Sequence, residues 1–60
     1  MKTYYHNQEG NFFRYFFDPN ITSWTVLRID ALGNQVGHAD YYANKASLLS
    51  VYPFFKFKQK

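Results

Sequence analysis

The chain has 60 residues, no cysteine, a formal charge of +3 and a surplus of rings: seven Phe, six Tyr and one Trp. One domain is the most this length allows, and the missing cysteines exclude disulfides and thiolate metal sites as reinforcement. The charge describes a neutral body with a basic tail: in residues 1–55, Lys2, Arg14, Arg28 and Lys45 balance Glu9, Asp18, Asp30 and Asp40, and the excess lies in Lys56, Lys58 and Lys60.

In chain order, Thr3 to His6 is a short β-prone run. Asn7-Gln8-Glu9-Gly10-Asn11 follows as a turn, with Gly10 able to take positive φ. The run Phe12–Phe17 (F-F-R-Y-F-F) then pairs with the first run as a hairpin. Alternation places Phe12, Arg14 and Phe16 on one side and Phe13, Tyr15 and Phe17 on the other. Asp18-Pro19-Asn20 breaks this strand, because Pro19 fixes its own φ and keeps Asp18 extended.

Ser23 to Asp30 reads as the next strand, with Thr25, Leu27 and Ile29 on one side and Trp24, Val26 and Arg28 on the other. Asp30-Ala31-Leu32-Gly33 resembles a type I turn closed by a left-handed Gly33, and Asn34 to Ala39 is expected to return as the partner strand. Two caps compete downstream, Asp40 and Asn44. Asn44 is favoured, giving a helix from about residue 44 to 52 that Pro53 stops, with Tyr41 and Tyr42 still extended. In the tail, Phe55 and Phe57 alternate with Lys56 and Lys58, as a short edge strand would.

The expected fold is a small α+β domain: an antiparallel meander of three to four strands with one C-terminal helix packed on one face. It spans residues 1–55, with residues 56–60 a frayed basic tail. A nine-residue helix is only about 13 Å long and 10–12 Å across, against a sheet roughly 15–20 Å wide. It covers part of one face and none of the other, although both faces of Phe12–Phe17 carry rings. The second face therefore needs a cover, supplied by the Phe54–Phe57 segment with the N-terminal tyrosines or by a partner.

No secretory h-region, membrane span or phosphate loop is present, so a cytoplasmic protein without membrane attachment is expected. His6, His38 and Asp40 are the only hint of a metal set, and their spacing is ordinary for surface histidines. Ser23, Ser47 and Ser50 lack the context of an activated nucleophile. No enzyme activity, cofactor, metal or small-molecule substrate is expected.

A surplus of rings on a sheet points instead to non-catalytic protein binding or self-association, since aromatic residues and Arg are enriched at binding hot spots. If the Thr25, Leu27 and Ile29 side faces the helix, the partner-binding set is Phe12, Arg14, Phe16, Trp24, Val26 and Arg28. In the reverse register, Phe13, Tyr15 and Phe17 replace the first three. Single-stranded nucleic acid is the alternative, with bases stacked on rings and Arg14, Arg28, Lys56, Lys58 and Lys60 on phosphates. A small structural homodimer is the third reading. In size and economy the chain is similar to the single-domain proteins of phages and mobile elements, such as anti-CRISPR inhibitors. That likeness of class implies a small inhibitor or modulator of a larger assembly.

Overall fold

A computed structural model describes residues 2–57. Four strands, β1 (Thr3–Gln8), β2 (Asn11–Asp18), β3 (Ser23–Ile29) and β4 (Asp40–Tyr42), form one antiparallel sheet in the order β1-β2-β3-β4, and helix α1 (Lys45–Val51) follows. This is the expected α+β meander with a C-terminal helix. No helix among the described residues is long and apolar enough to cross a membrane.

Local chemistry explains the breaks. Glu9 and Gly10 take φ of 52° and 81°, so a two-residue loop with both centres left-handed joins β1 to β2. That geometry matches the twist of the strands it connects. Asp30 organises the turn after β3: its carboxylate accepts the N–H groups of Leu32 and Asn34, each at 2.9 Å, and its carbonyl accepts the Gly33 N–H at 3.0 Å. The Asn34 N–H above all holds that carboxyl below its usual pKa, and Gly33 sits left-handed as expected, at φ 89°. Asn44 caps α1 by accepting the Ser47 N–H at 2.8 Å.

Two elements differ from expectation. Asn34–Ala39 does not form the partner strand. It holds a single bridge, Ile29 to Gln35, with the Val36 N–H donating to the Arg28 carbonyl at 2.7 Å and the Asn34 carbonyl accepting the Asp30 N–H at 2.9 Å. The strand that pairs with β3 comes later, at Asp40–Tyr42, because left-handed Gly37 (φ 77°) bends the chain away first. The tail is no edge strand either. Phe55 and Phe57 turn inward while Lys56 stays exposed, as alternation requires, but both rings pack onto a sheet face instead of pairing along an edge. The packed body therefore reaches Phe57, two residues past the expected boundary; Lys58 and Lys60 lie outside the described residues.

The register decides the faces. Phe12 pairs with Ile29, Arg14 with Leu27, Phe16 with Thr25, Tyr15 with Val26 and Phe17 with Trp24. Residues directly opposite share a face. One face thus carries Tyr4, His6, Phe13, Tyr15, Phe17, Trp24 and Val26. The other carries Tyr5, Phe12, Arg14, Phe16, Thr25, Leu27, Ile29 and Tyr41. The core lies on the first, where Tyr15, Val26, Leu48 and Phe55 are 0–4% exposed and Tyr4, Phe13, Trp24, Tyr42, Leu49, Tyr52 and Phe57 pack around them. The helix therefore covers the Trp24–Val26 side and not the Thr25–Leu27–Ile29 side.

The tail goes to that same face. Tyr52, Phe55, Tyr15 and Tyr4 form a continuous stack with centroid separations of 4.6, 4.0 and 5.6 Å and interplanar angles of 3°, 5° and 20°. Phe57 closes one end, edge-on to Tyr4 at 5.4 Å and to Trp24 at 5.2 Å. Tyr15 also ties the tail down by polar contacts, its hydroxyl donating to the Lys56 carbonyl and accepting the Lys56 N–H at 3.0 Å. The expectation that Phe54–Phe57 could shield the second face is thus corrected. Aromatic stacking onto Tyr15, the least exposed ring of β2, draws the tail to the helix side.

Candidate binding face

The face away from the helix consists of three cross-strand rows: Thr3, Phe16, Thr25 and Tyr41; Tyr5, Arg14 and Leu27; and Asn7, Phe12 and Ile29. Every ring contact made by the tail goes to the opposite side of the sheet. This second face shields its own centre. Thr25 and Leu27 are 5% and 7% exposed beneath their neighbours, whereas Tyr5 and Tyr41 are 66% and 60% exposed at its two margins. Phe12, Arg14, Phe16 and Ile29 are half-buried.

Among the described residues, Arg14 is the one cation of this surface. Its guanidinium lies 5.9 Å from the centroid of the Phe16 ring, and its Nε, like the Thr25 Oγ1, is buried without a hydrogen-bond partner. A guanidinium held against a ring at a half-buried position suits a planar carboxylate or a carbonyl that meets the outer N–H groups of its fork.

The six residues anticipated as one partner-binding set do not share a face. Phe12, Arg14 and Phe16 lie on this open face. Trp24, Val26 and Arg28 lie on the other, where Val26 is core, Trp24 is half-buried and Arg28 donates to the Asn11 Oδ1 at 2.7 Å. The reverse-register set of Phe13, Tyr15 and Phe17 does share a face with Trp24, Val26 and Arg28, but helix and tail cover its Tyr15–Val26 centre. Tyr5, Leu27, Ile29 and Tyr41 are the members that sequence reasoning missed.

Of the cations proposed for a nucleic acid, the three that are described, Arg14, Arg28 and Lys56, do not line up either. Arg14 and Arg28 are on opposite faces, and Lys56 is exposed on the tail above the covered face. Of the set His6, His38 and Asp40, His6 packs against Phe54 and Phe55 at 4.8 and 5.6 Å, away from the other two. Among the described residues, no three His, Cys, Asp or Glu side chains come together to hold a metal.

Two concavities flank the covered face. One, of ≈ 390 Å³, brings Arg28, His38, Asp40 and Tyr52 together beside Gly37. There the Tyr52 hydroxyl donates to the Asp40 Oδ2 at 3.1 Å, and burial first, then that bond, pushes the phenol pKa well up. The other, of ≈ 500 Å³, lies between Lys2, Tyr4, Phe17, Pro19, Trp24 and Lys45. No family model, curated protein or solved structure matches this chain.

Proposed function

We propose that the protein is a non-catalytic protein-binding module that engages its partner through the open sheet face. The carrying observation is the one-sided core: helix and tail stack on the Tyr15–Val26 face, and no described helix or tail segment packs over Phe12, Arg14, Phe16 and Ile29. The patch is mixed, apolar with one Arg at its centre, as binding hot spots are. A partner of complementary chemistry presents an apolar ridge carrying a carboxylate or free carbonyl that meets Arg14.

Dimensions separate the possible partners. Three or four strands about 4.8 Å apart, read over six to eight residues of about 3.4 Å, give a face of roughly 300–500 Å². An obligate homodimer usually buries 2,000 Å² or more in total, and even a standard complex buries about 800 Å² per partner. The face supports a modest interface extended by the sheet margins, which favours a separate protein over a structural homodimer. Inhibition or modulation of a larger assembly is the finer form of this reading.

The test is capture of a defined partner by tagged protein, compared with Phe16→Ala and Arg14→Gln. Removing a hot-spot ring costs about 2 kcal/mol or more of binding, a loss of about thirtyfold. The reading fails if both variants bind the partner as tightly as the parent, or if a sound fold recovers none. Sedimentation as a stable dimer at micromolar concentration would replace it with the homodimer reading.

A further inference from the structure

We propose that the ≈ 500 Å³ pocket between β1, the β2–β3 turn and the start of α1 binds a small aromatic anion: a flat ring carrying a carboxylate or a phosphate. It is a second site, on the sheet face opposite the partner surface, and it does not depend on the protein-binding reading.

The pocket's walls are aromatic and its only charges are positive. Tyr4, Phe17, Trp24 and Pro19 line it with Lys2 and Lys45 as the charged groups, and among the described residues no acidic side chain does. Asp18, adjacent to Phe17, alternates to the other face, and its carboxylate is taken by the Asn20 N–H at 2.9 Å. Phe17 and Trp24 meet edge-to-face, at 5.8 Å and 64°, so an entering ring finds both a ring face and a ring edge to pack on.

Lys45 makes the pocket more than an apolar dent. Its ammonium lies 5.5 Å from the Trp24 centroid and 4.6 Å from the Phe57 centroid. The two rings hold the charge in the pocket lining by cation–π attraction. That attraction spends none of the three N–H donors on a conventional acceptor, so they remain available to an anion. Lys2 supplies a second positive charge in the same lining. A volume within the few hundred to a thousand Å³ of small-molecule sites admits one ring with its anionic group, with no room implied for a folded domain.

Trp24 is the sole tryptophan, so its indole N–H resonance is an unambiguous reporter. The experiment follows that resonance and the backbone amides of the full chain during titration with matched probes. N-acetylphenylalanine is set against its amide, and uridine 5′-monophosphate against uridine. The expected result is saturable shifts at Tyr4, Phe17, Trp24 and Lys45, with each anion bound at least about tenfold more tightly than its neutral counterpart. This preference should shrink as salt rises, because the two lysines are near solvent.

Lys45→Gln and, separately, Lys2→Gln should reduce the preference, while Phe16→Ala leaves it unchanged. Lys2→Gln carries the test if Lys45→Gln disturbs the helix start. The tighter of the two anions identifies the source, peptide carboxylate or nucleotide. The proposal is overturned by equal binding of anion and neutral partner, by shifts centred on Phe16 and Leu27, by a preference that survives in both lysine variants, or by no saturable shift up to on the order of 10 mM.

Discussion

Tyr15 joins the sheet to the tail in two ways. Its ring is sandwiched between Phe55 and Tyr4, and its hydroxyl satisfies both the carbonyl and the N–H of Lys56. Tyr15→Phe keeps the ring and strands both backbone groups of Lys56. The two hydrogen bonds together are worth about 1–3 kcal/mol, and their loss in a domain this small lowers the melting temperature by on the order of 8–24 °C. Thermal melting by circular dichroism checks this, and an unchanged midpoint would show the clamp to be idle.

The same phenols set a pH limit. Burial foremost raises the Tyr15 pKa, and burial followed by the Asp40 bond raises that of Tyr52, both from 10.0 in the unfolded chain. A group whose folded pKa is raised contributes stability fully present below its unfolded pKa and lost as pH rises through the folded value. Urea midpoints are therefore expected to be insensitive to these two groups from pH 7 to about 9 and to fall above about 10. Tyr52→Phe should make the alkaline fall shallower, and an equally steep fall in that variant would assign the loss to other groups.

Among the elements, turns and caps were legible because their signals are local. Gly10 and Gly33 announce positive φ, and Asn44 outcompetes Asp40 as the helix cap because Asp40 belongs to β4 and accepts from Tyr52. Asn44→Ala removes the acceptor of the Ser47 N–H and should cost about 1 kcal/mol, whereas Asp40→Asn, which can still accept from Tyr52, should cost less. Chemical denaturation of the two variants gives the comparison, and a larger loss for Asp40→Asn would reverse the assignment.

The grouping of faces needed one further step, which also lies in the sequence. Four residues, 19–22, join Asp18 to Ser23, and an even-length loop pairs even-numbered residues of β2 with odd-numbered residues of β3. Phe16 must then sit beside Thr25, not beside Trp24 or Val26. A three- or five-residue loop would have given the anticipated grouping. The site residues were split because the loop length, with Thr22 at φ 48° inside it, was not fixed by any single local preference. The tail's destination had no local signal at all, since Phe55 is placed by a stack of rings drawn from β1, β2 and the segment after α1.

At the scale of the whole molecule, one short helix and one tail cannot shield two sheet faces, and the chain commits both to one. The seven-residue helix is only about 10 Å long and places Leu48 in the core, so the tail rings supply the rest of the cover. This asymmetry predicts opposite responses to equivalent ring deletions. Phe55→Ala empties a site 4% exposed at the centre of the aromatic stack and should cost about 3–5 kcal/mol, close to the whole stability of a domain this size. Phe16→Ala removes a half-buried ring from a face that no described helix or tail segment covers and should cost about 1 kcal/mol of stability while weakening partner binding about thirtyfold. Proton spectra distinguish the two cases: Phe16→Ala retains dispersed core resonances, and Phe55→Ala collapses them. If Phe16→Ala also unfolded the chain, the open face would be a second core in need of its rings for stability, and its exposure would lose its meaning as a binding surface.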